Sequence, residues 1–188
     1  VINESLARRL WPGANPVVSL MALEGIRALH RSLPVVCAAP ADLEARTGAL
    51  YGAYLAATAL ATGGTGLHHK TCHVLGGMFG LDHGGTNAVV LGHALAYNAP
   101  AIPEALARIE CALGTGDAPG ALFDLAAAVE APASLAAMGM PAAGLDEATR
   151  RVVAEAAGNV RPPEPEGIRR MLDDAFAGRR PAAVPAHR

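Results

Sequence analysis

The stretch "GLHHKTCHVLGGMFGLDHGGTNAVVLGHALAYNAP", residues 66–100, holds five of the chain's seven histidines. Three of them, His69, His73 and His83, follow the pattern H-x3-H-x9-H. Neutral imidazole suits zinc and ferrous iron alike, and a histidine can also deliver a proton near neutral pH. Residues four apart on a helix share a face, so His69 and His73 point the same way. His83 lies ten residues further on, beyond a glycine bend that can return it beside His69. The spacing therefore predicts three imidazoles around one pocket, able to hold a divalent cation or to move a proton.

Gly76 and Gly77 would sit inside the helix that carries His69 and His73. Each costs roughly 1 kcal/mol there relative to alanine. Such positions are where something approaches the backbone closely, either a neighbouring helix or a cofactor. Lys70 reads as a solvated lysine that could also pair with a substrate carboxylate. Cys72 reads as a small buried hydrophobe. His30, His68, His93 and His187 are each read as surface or core histidines without a ligand role.

These residues need helices to position them, and the composition supplies helix formers. Alanine is abundant and aromatic residues make up only 4%, which favours helix over strand. Residues 1–11 read as the tail of a helix, stopped by Pro12 and Gly13. A second helix starts at Asn15 and Pro16 and ends at Pro34, and a third covers 41–62, capped by Asp42. The small residues of that third helix allow close packing. The motif helix covers 67–79, residues 80–85 form a bend, and 86–97 are helical again. Helices follow at 103–113, at 120–138 with an interruption at Pro132, after a cap at Asp146, and at 166–177. Residues 159–167, "NVRPPEPEG", read as a proline-rich linker. No stretch reads as a paired strand. The expectation is an all-α, multi-helical bundle of eight or so helices, one domain over residues 1–181 with a flexible tail at 182–188.

Apolar residues make up 52% of the chain and charged residues 17%, so part of the surface is expected to be covered by a second domain or a homodimer partner. The net charge of −2, without a basic stripe, argues against a nucleic-acid partner. The apolar runs fall short of the roughly 20 residues a membrane-spanning helix needs. Three cysteines without a C-x-x-C read as reduced thiols of a cytoplasmic protein. The opening "VINESLARRLW" reads as the middle of a helix with no cap before it, so a preceding part is expected.

The segment "HKTCHVLGGMFGLDHG", residues 69–84, resembles the signature H-x3-H-x2-G-x6-H-[GA] of the iron-containing alcohol dehydrogenase superfamily, which shares its two-domain architecture with dehydroquinate synthase. The match falls on His69, His73, Gly76, His83 and Gly84. Within it, "ANPVVSLMALEGIRAL", "LDHGGTNAVVLGHALAYNAPAIP" and "VRPPEPEGIRRMLDDAFAGRRP" are similar to the maleylacetate reductase branch. The resemblance implies the C-terminal helical domain of the dehydroquinate synthase-like fold. It implies reduction of the dicarboxylate maleylacetate to 3-oxoadipate with NAD(H) or NADP(H), in the breakdown of aromatic compounds. By position His69 and His83 match metal ligands, for Fe2+ or Zn2+, and His73 matches the histidine near nicotinamide and substrate. Gly76 and Gly77 are the candidate cofactor-facing positions. An Asp-x3-His pair completes the site in metal-dependent members, and Asn3 and Glu4 do not reproduce it. The family's nucleotide-binding α/β domain with its Gly-rich loop finds no counterpart in these residues. Two alternatives stay open: a metal-dependent alcohol dehydrogenase acting on a small alcohol, and a truncated, non-catalytic helical module.

Overall fold

A computed structural model describes residues 15–182. The helix expected over 1–11 and the tail from 183 onward, with His187, lie outside the described residues. Among those described there are eight α-helices and no strand. They are α1 (Pro16–Ala38), α2 (Leu43–Gly63), α3 (Leu67–Phe79), α4 (His83–Asn98), α5 (Pro103–Leu113), α6 (Ala118–Ala128), α7 (Leu145–Glu155) and α8 (Pro165–Ala177). No helix among them is long and apolar enough to cross a membrane.

The start signals act as the sequence predicts at α1 and α2. Asn15 accepts from the Val17 amide at 3.0 Å, and Asp42 accepts from the Ala45 amide at 2.9 Å. The two helices pack closely because glycines meet at their crossing. A Cβ on Gly25 would lie 3.2 Å from the Gly52 carbonyl oxygen, and one on Gly52 would lie 2.8 Å from Leu29 Cγ.

Four boundaries differ from expectation, each for a local reason. Pro34 does not end α1, which runs on to Ala38. The missing Pro34 N–H forfeits one helical bond, while packing against α2 and the Ala39 N–H to Val35 carbonyl bond of 2.8 Å close the last turns. α4 starts at His83 and not at 86, because Asp82 caps it by accepting from the Gly85 amide at 2.7 Å. α6 stops at Ala128, well before 138. Glu130 takes a left-handed φ of 56°, and the chain then crosses to α8, where the Leu135 amide donates to the Ala175 carbonyl at 3.0 Å. Asp146 does not cap α7. A 3-10 turn, Ala142–Gly144, leads directly into that helix, and the Asp146 carboxylate pairs with Arg169.

The proline-rich segment after α7 is pinned to the body. Tyr97 donates its hydroxyl to the Pro162 carbonyl at 2.7 Å and accepts from the Glu164 amide at 3.1 Å. Arg161 donates to the Tyr97 carbonyl at 2.6 Å and lays its guanidinium over the Tyr97 ring, 4.3 Å from the centroid.

Two apolar clusters form the core. One gathers Leu67 and Leu75 of α3, Val90 of α4, Leu135, Val152 of α7 and Leu172 of α8, all fully buried. The other gathers Val18, Leu23 and Ile26 of α1 with Ile102, Ile109 and Leu122. Helix α4 contributes to both, through Val89, Val90 and Ala94 on one side and Leu95 on the other. It is the spine on which the histidine-bearing segment rests.

Candidate metal and catalytic site

Helix α3 has one wet face and one dry face. Leu67, His68, Thr71, Cys72, Val74 and Leu75 are buried, while His69 and Lys70 are half-buried and His73 and Gly77 are exposed. The apolar spacing fixes this rotation, and it leaves the histidines four apart pointing outward. Gly80 ends the helix in the left-handed region, with φ 66°, where glycine is favoured. Two residues later Asp82 caps α4, so His83 opens the next helix directly beside the first.

The result is a cluster of three imidazoles. The ring centroids of His69 and His73 are 4.3 Å apart, those of His69 and His83 5.4 Å, and those of His73 and His83 5.8 Å. One nitrogen from each ring lies within 4.8 Å of the others, the only such group of potential ligands among the described residues. Burial, then the neighbouring His73, His83 and Lys70, lower the His69 pKa from its ordinary value. A neutral ring is the form that ligates a cation. His69 Nδ1 is buried and has no hydrogen-bond partner. The donor set, the lowered pKa of His69 and this orphaned nitrogen fit a divalent ion. Ligand nitrogens around zinc stand about 3.4 Å apart at ordinary bond lengths, so the rings, now within 4.8 Å, would draw together to hold one.

His68 has a different part. Its Nε2–H donates to the Asn87 carbonyl at 3.0 Å, and the Asn87 side-chain amide donates to the His83 carbonyl at 2.6 Å. Burial pushes its pKa down to about 4, so it acts as a neutral tether between α3 and α4. Cys72 is buried one turn on, its thiol pushed up to about 12 by desolvation. His93 is a structural residue whose ring nitrogens face the Val89 and Arg179 carbonyls, each at 2.9 Å. His30 lines a small apolar cavity of about 90 Å³ between α1 and α6, which none of the three clustered histidines lines.

Beside His73 runs a cleft of about 390 Å³ between α3 and α7, lined by Lys70, His73, Gly77, Arg151 and Glu155, among others. Lys70 forms a 3.8 Å ion pair with Glu155 across it. Gly77 meets no atom within 4 Å of an added Cβ, and Gly76 meets only the Leu81 carbonyl oxygen at 3.6 Å. Packing against another helix therefore does not account for either glycine among the described residues. Arg151 and Glu155 escape a sequence reading, because they lie some 80 residues from the motif and ordinary arginine and glutamate carry no signal of their own.

A helical domain that presents three histidines at a helix–bend–helix corner is the class defined here. The model for the C-terminal part of the Fe-containing alcohol dehydrogenase family matches residues 10–176, and the chain belongs to that family. It is 49% identical over 164 residues to a maleylacetate reductase of Sphingobium indicum, covering 87% of this chain and 47% of that protein. Among solved structures it is similar to maleylacetate reductases from Agrobacterium tumefaciens and from a Rhizobium species. The TM-scores are 0.85 and 0.87 and the identities 44% and 43%, over 95% of this chain and 51% of each of theirs. The chain spans about half the length of the curated relatives it matches.

Proposed function

We propose that this chain is the helical half of an NAD(P)H-dependent maleylacetate reductase, which converts maleylacetate to 3-oxoadipate. The single observation that carries the reading is the cluster of His69, His73 and His83 on the wet side of α3 and α4, in a chain close to half identical to maleylacetate reductases. A nucleotide-binding half facing this cluster completes the enzyme. The exposed His73 and His83 and the uncovered backbone at Gly77 suit such a partner surface. The low charge content and the exposed Leu43, Leu50 and Tyr54 on α2 suit a homodimer.

Reduced nicotinamide would supply a hydride when bound, and His69 and His83 would hold a divalent cation whose Lewis acidity would polarise a carbonyl oxygen. The protein's own groups do the rest. Reduction of the alkene carbon β to the ketone develops negative charge on the ketone oxygen; where no cation is held, the imidazoles of the cluster are the groups placed to stabilise it. His73, exposed and next to both other rings, holds the proton that the neighbouring alkene carbon receives, so one hydride and one proton are added overall. Gly76 and Gly77 leave the helix surface bare for the cofactor to approach. The test is turnover of maleylacetate by the intact two-domain enzyme, against simple aldehydes under the same conditions. Preference for aldehydes would return the protein to the broader alcohol dehydrogenase class.

A further inference from the structure

The cleft between α3 and α7 adjoins the three-histidine corner at His73 and adds charged groups of its own. Lys70 and His73 are one turn apart on α3, so a ligand protonated by His73 extends naturally toward the Lys70 ammonium. Arg151 approaches from α7 on the other wall. Its Nε is engaged by Glu147 at 2.7 Å, and the guanidinium keeps further N–H donors beyond that one. The charged groups lining the cleft are Lys70, Arg151 and Glu155, an excess of one positive charge. Glu155 holds Lys70 only loosely, at 3.8 Å with side chains 36% and 59% exposed, so an arriving anion can take its place. Gly77 forms an open part of the same wall, with nothing within 4 Å of where a side chain would begin.

We propose that this cleft is the subsite for an anionic end of the substrate: Lys70, assisted by Arg151, binds the carboxylate remote from the carbon that His73 protonates. The inference rests on the reading of the site as one that reduces a dicarboxylate. It makes Lys70 the residue that distinguishes an acid substrate from a neutral aldehyde or alcohol. A cofactor phosphate carries the same kind of charge, and the kinetics separate the two sources.

The experiment compares Lys70→Gln and Arg151→Gln in the intact two-domain enzyme, with Arg150→Gln, an exposed neighbour outside the cleft, as control. Loss of one charged hydrogen bond is expected to raise KM for maleylacetate about tenfold or more in Lys70→Gln. A smaller rise is expected in Arg151→Gln, with KM for the reduced cofactor within about twofold and Arg150→Gln unchanged. An unchanged KM for the acid overturns the proposal. So does a rise confined to NADH or NADPH, which would assign the cleft to a cofactor phosphate. Should the unmodified enzyme leave maleylacetate untouched, the proposed function falls, and calorimetric titration of succinate and adipate into the enzyme–NADH complex decides the inference separately. Binding that Lys70→Gln abolishes sustains it, and no binding by either protein sinks it.

Discussion

The Nε2 nitrogen of His68 lies 3.0 Å from the Asn87 main-chain oxygen, and this contact ties the helix carrying His69 and His73 to the helix carrying His83. The Asn87 side chain continues the tie to the His83 carbonyl at 2.6 Å. A buried neutral imidazole is thus placed where its loss separates the two halves of the cluster. The variant His68→Leu removes the donor and keeps the bulk. It is expected to cost about 1–3 kcal/mol of stability. Where the intact enzyme binds a divalent cation, its affinity should fall about 10–100-fold, as when a supporting hydrogen bond behind a ligand is lost. Thermal unfolding and metal titration check both, and an unchanged metal affinity would show that the turn alone sets the geometry.

The roles of the three exposed-side histidines separate by metal content and turnover. His69→Ala and His83→Ala should each lower bound metal after equilibration with Fe2+ or Zn2+, measured by elemental analysis. His73→Ala should retain it and lower kcat about 10²–10⁴-fold, the range for loss of a general acid. Because His73 is solvent-exposed, its removal should shift stability by no more than about 0.5 kcal/mol. Loss of metal in His73→Ala would make it a third ligand instead.

Cys72 tests the orientation of α3 independently of catalysis. Its thiol is pushed up to about 12 and lies 1% exposed, whereas Cys37 and Cys111 are exposed. With a pKa near 12, about one thiol in ten thousand is ionised at pH 8, and the thiolate is the reactive form. Alkylation of the native protein at pH 8 should therefore modify two cysteines and spare Cys72. Its thiolate fraction rises about tenfold per pH unit until pH nears 12, and denaturant exposes it at once. Peptide mapping by mass spectrometry reads the outcome, and rapid native labelling of Cys72 would contradict the buried face described for α3.

Much of this arrangement is legible in the sequence because it is local. The H-x3-H spacing, the glycine at 80 and the apolar positions around them fix a helix, a bend and an outward-facing pair without reference to the rest of the chain. Asp82 as a cap was equally local, yet the glycines at 84 and 85 masked it by reading as part of the bend. Pro34 and Pro132 show the limit from the other side. Proline removes one N–H in each case, but packing against α2 carries the helix through Pro34, while the left-handed turn at Glu130 has already ended α6 before Pro132. The cleft was not legible at all. It arises where α7 lies against α3, and only the folded chain brings Arg151 and Glu155 to Lys70.

Gly77 offers the sharpest separation of stability from function. An interior glycine disfavours a helix by roughly 1 kcal/mol relative to alanine, and here an added methyl meets nothing within 4 Å. Gly77→Ala should therefore stabilise the domain by about 0.5–1 kcal/mol, read as a higher midpoint of chemical denaturation. A glycine with no part in binding would give a more stable enzyme with unchanged kinetics. If the bare backbone is instead kept clear for cofactor and substrate, the stabilised variant should lose kcat/KM about tenfold or more, because a methyl group intrudes where the ligands lie against the helix. A variant both more stable and fully active would remove Gly77 from the binding surface and leave the neighbouring Gly76 as the only candidate on that helix.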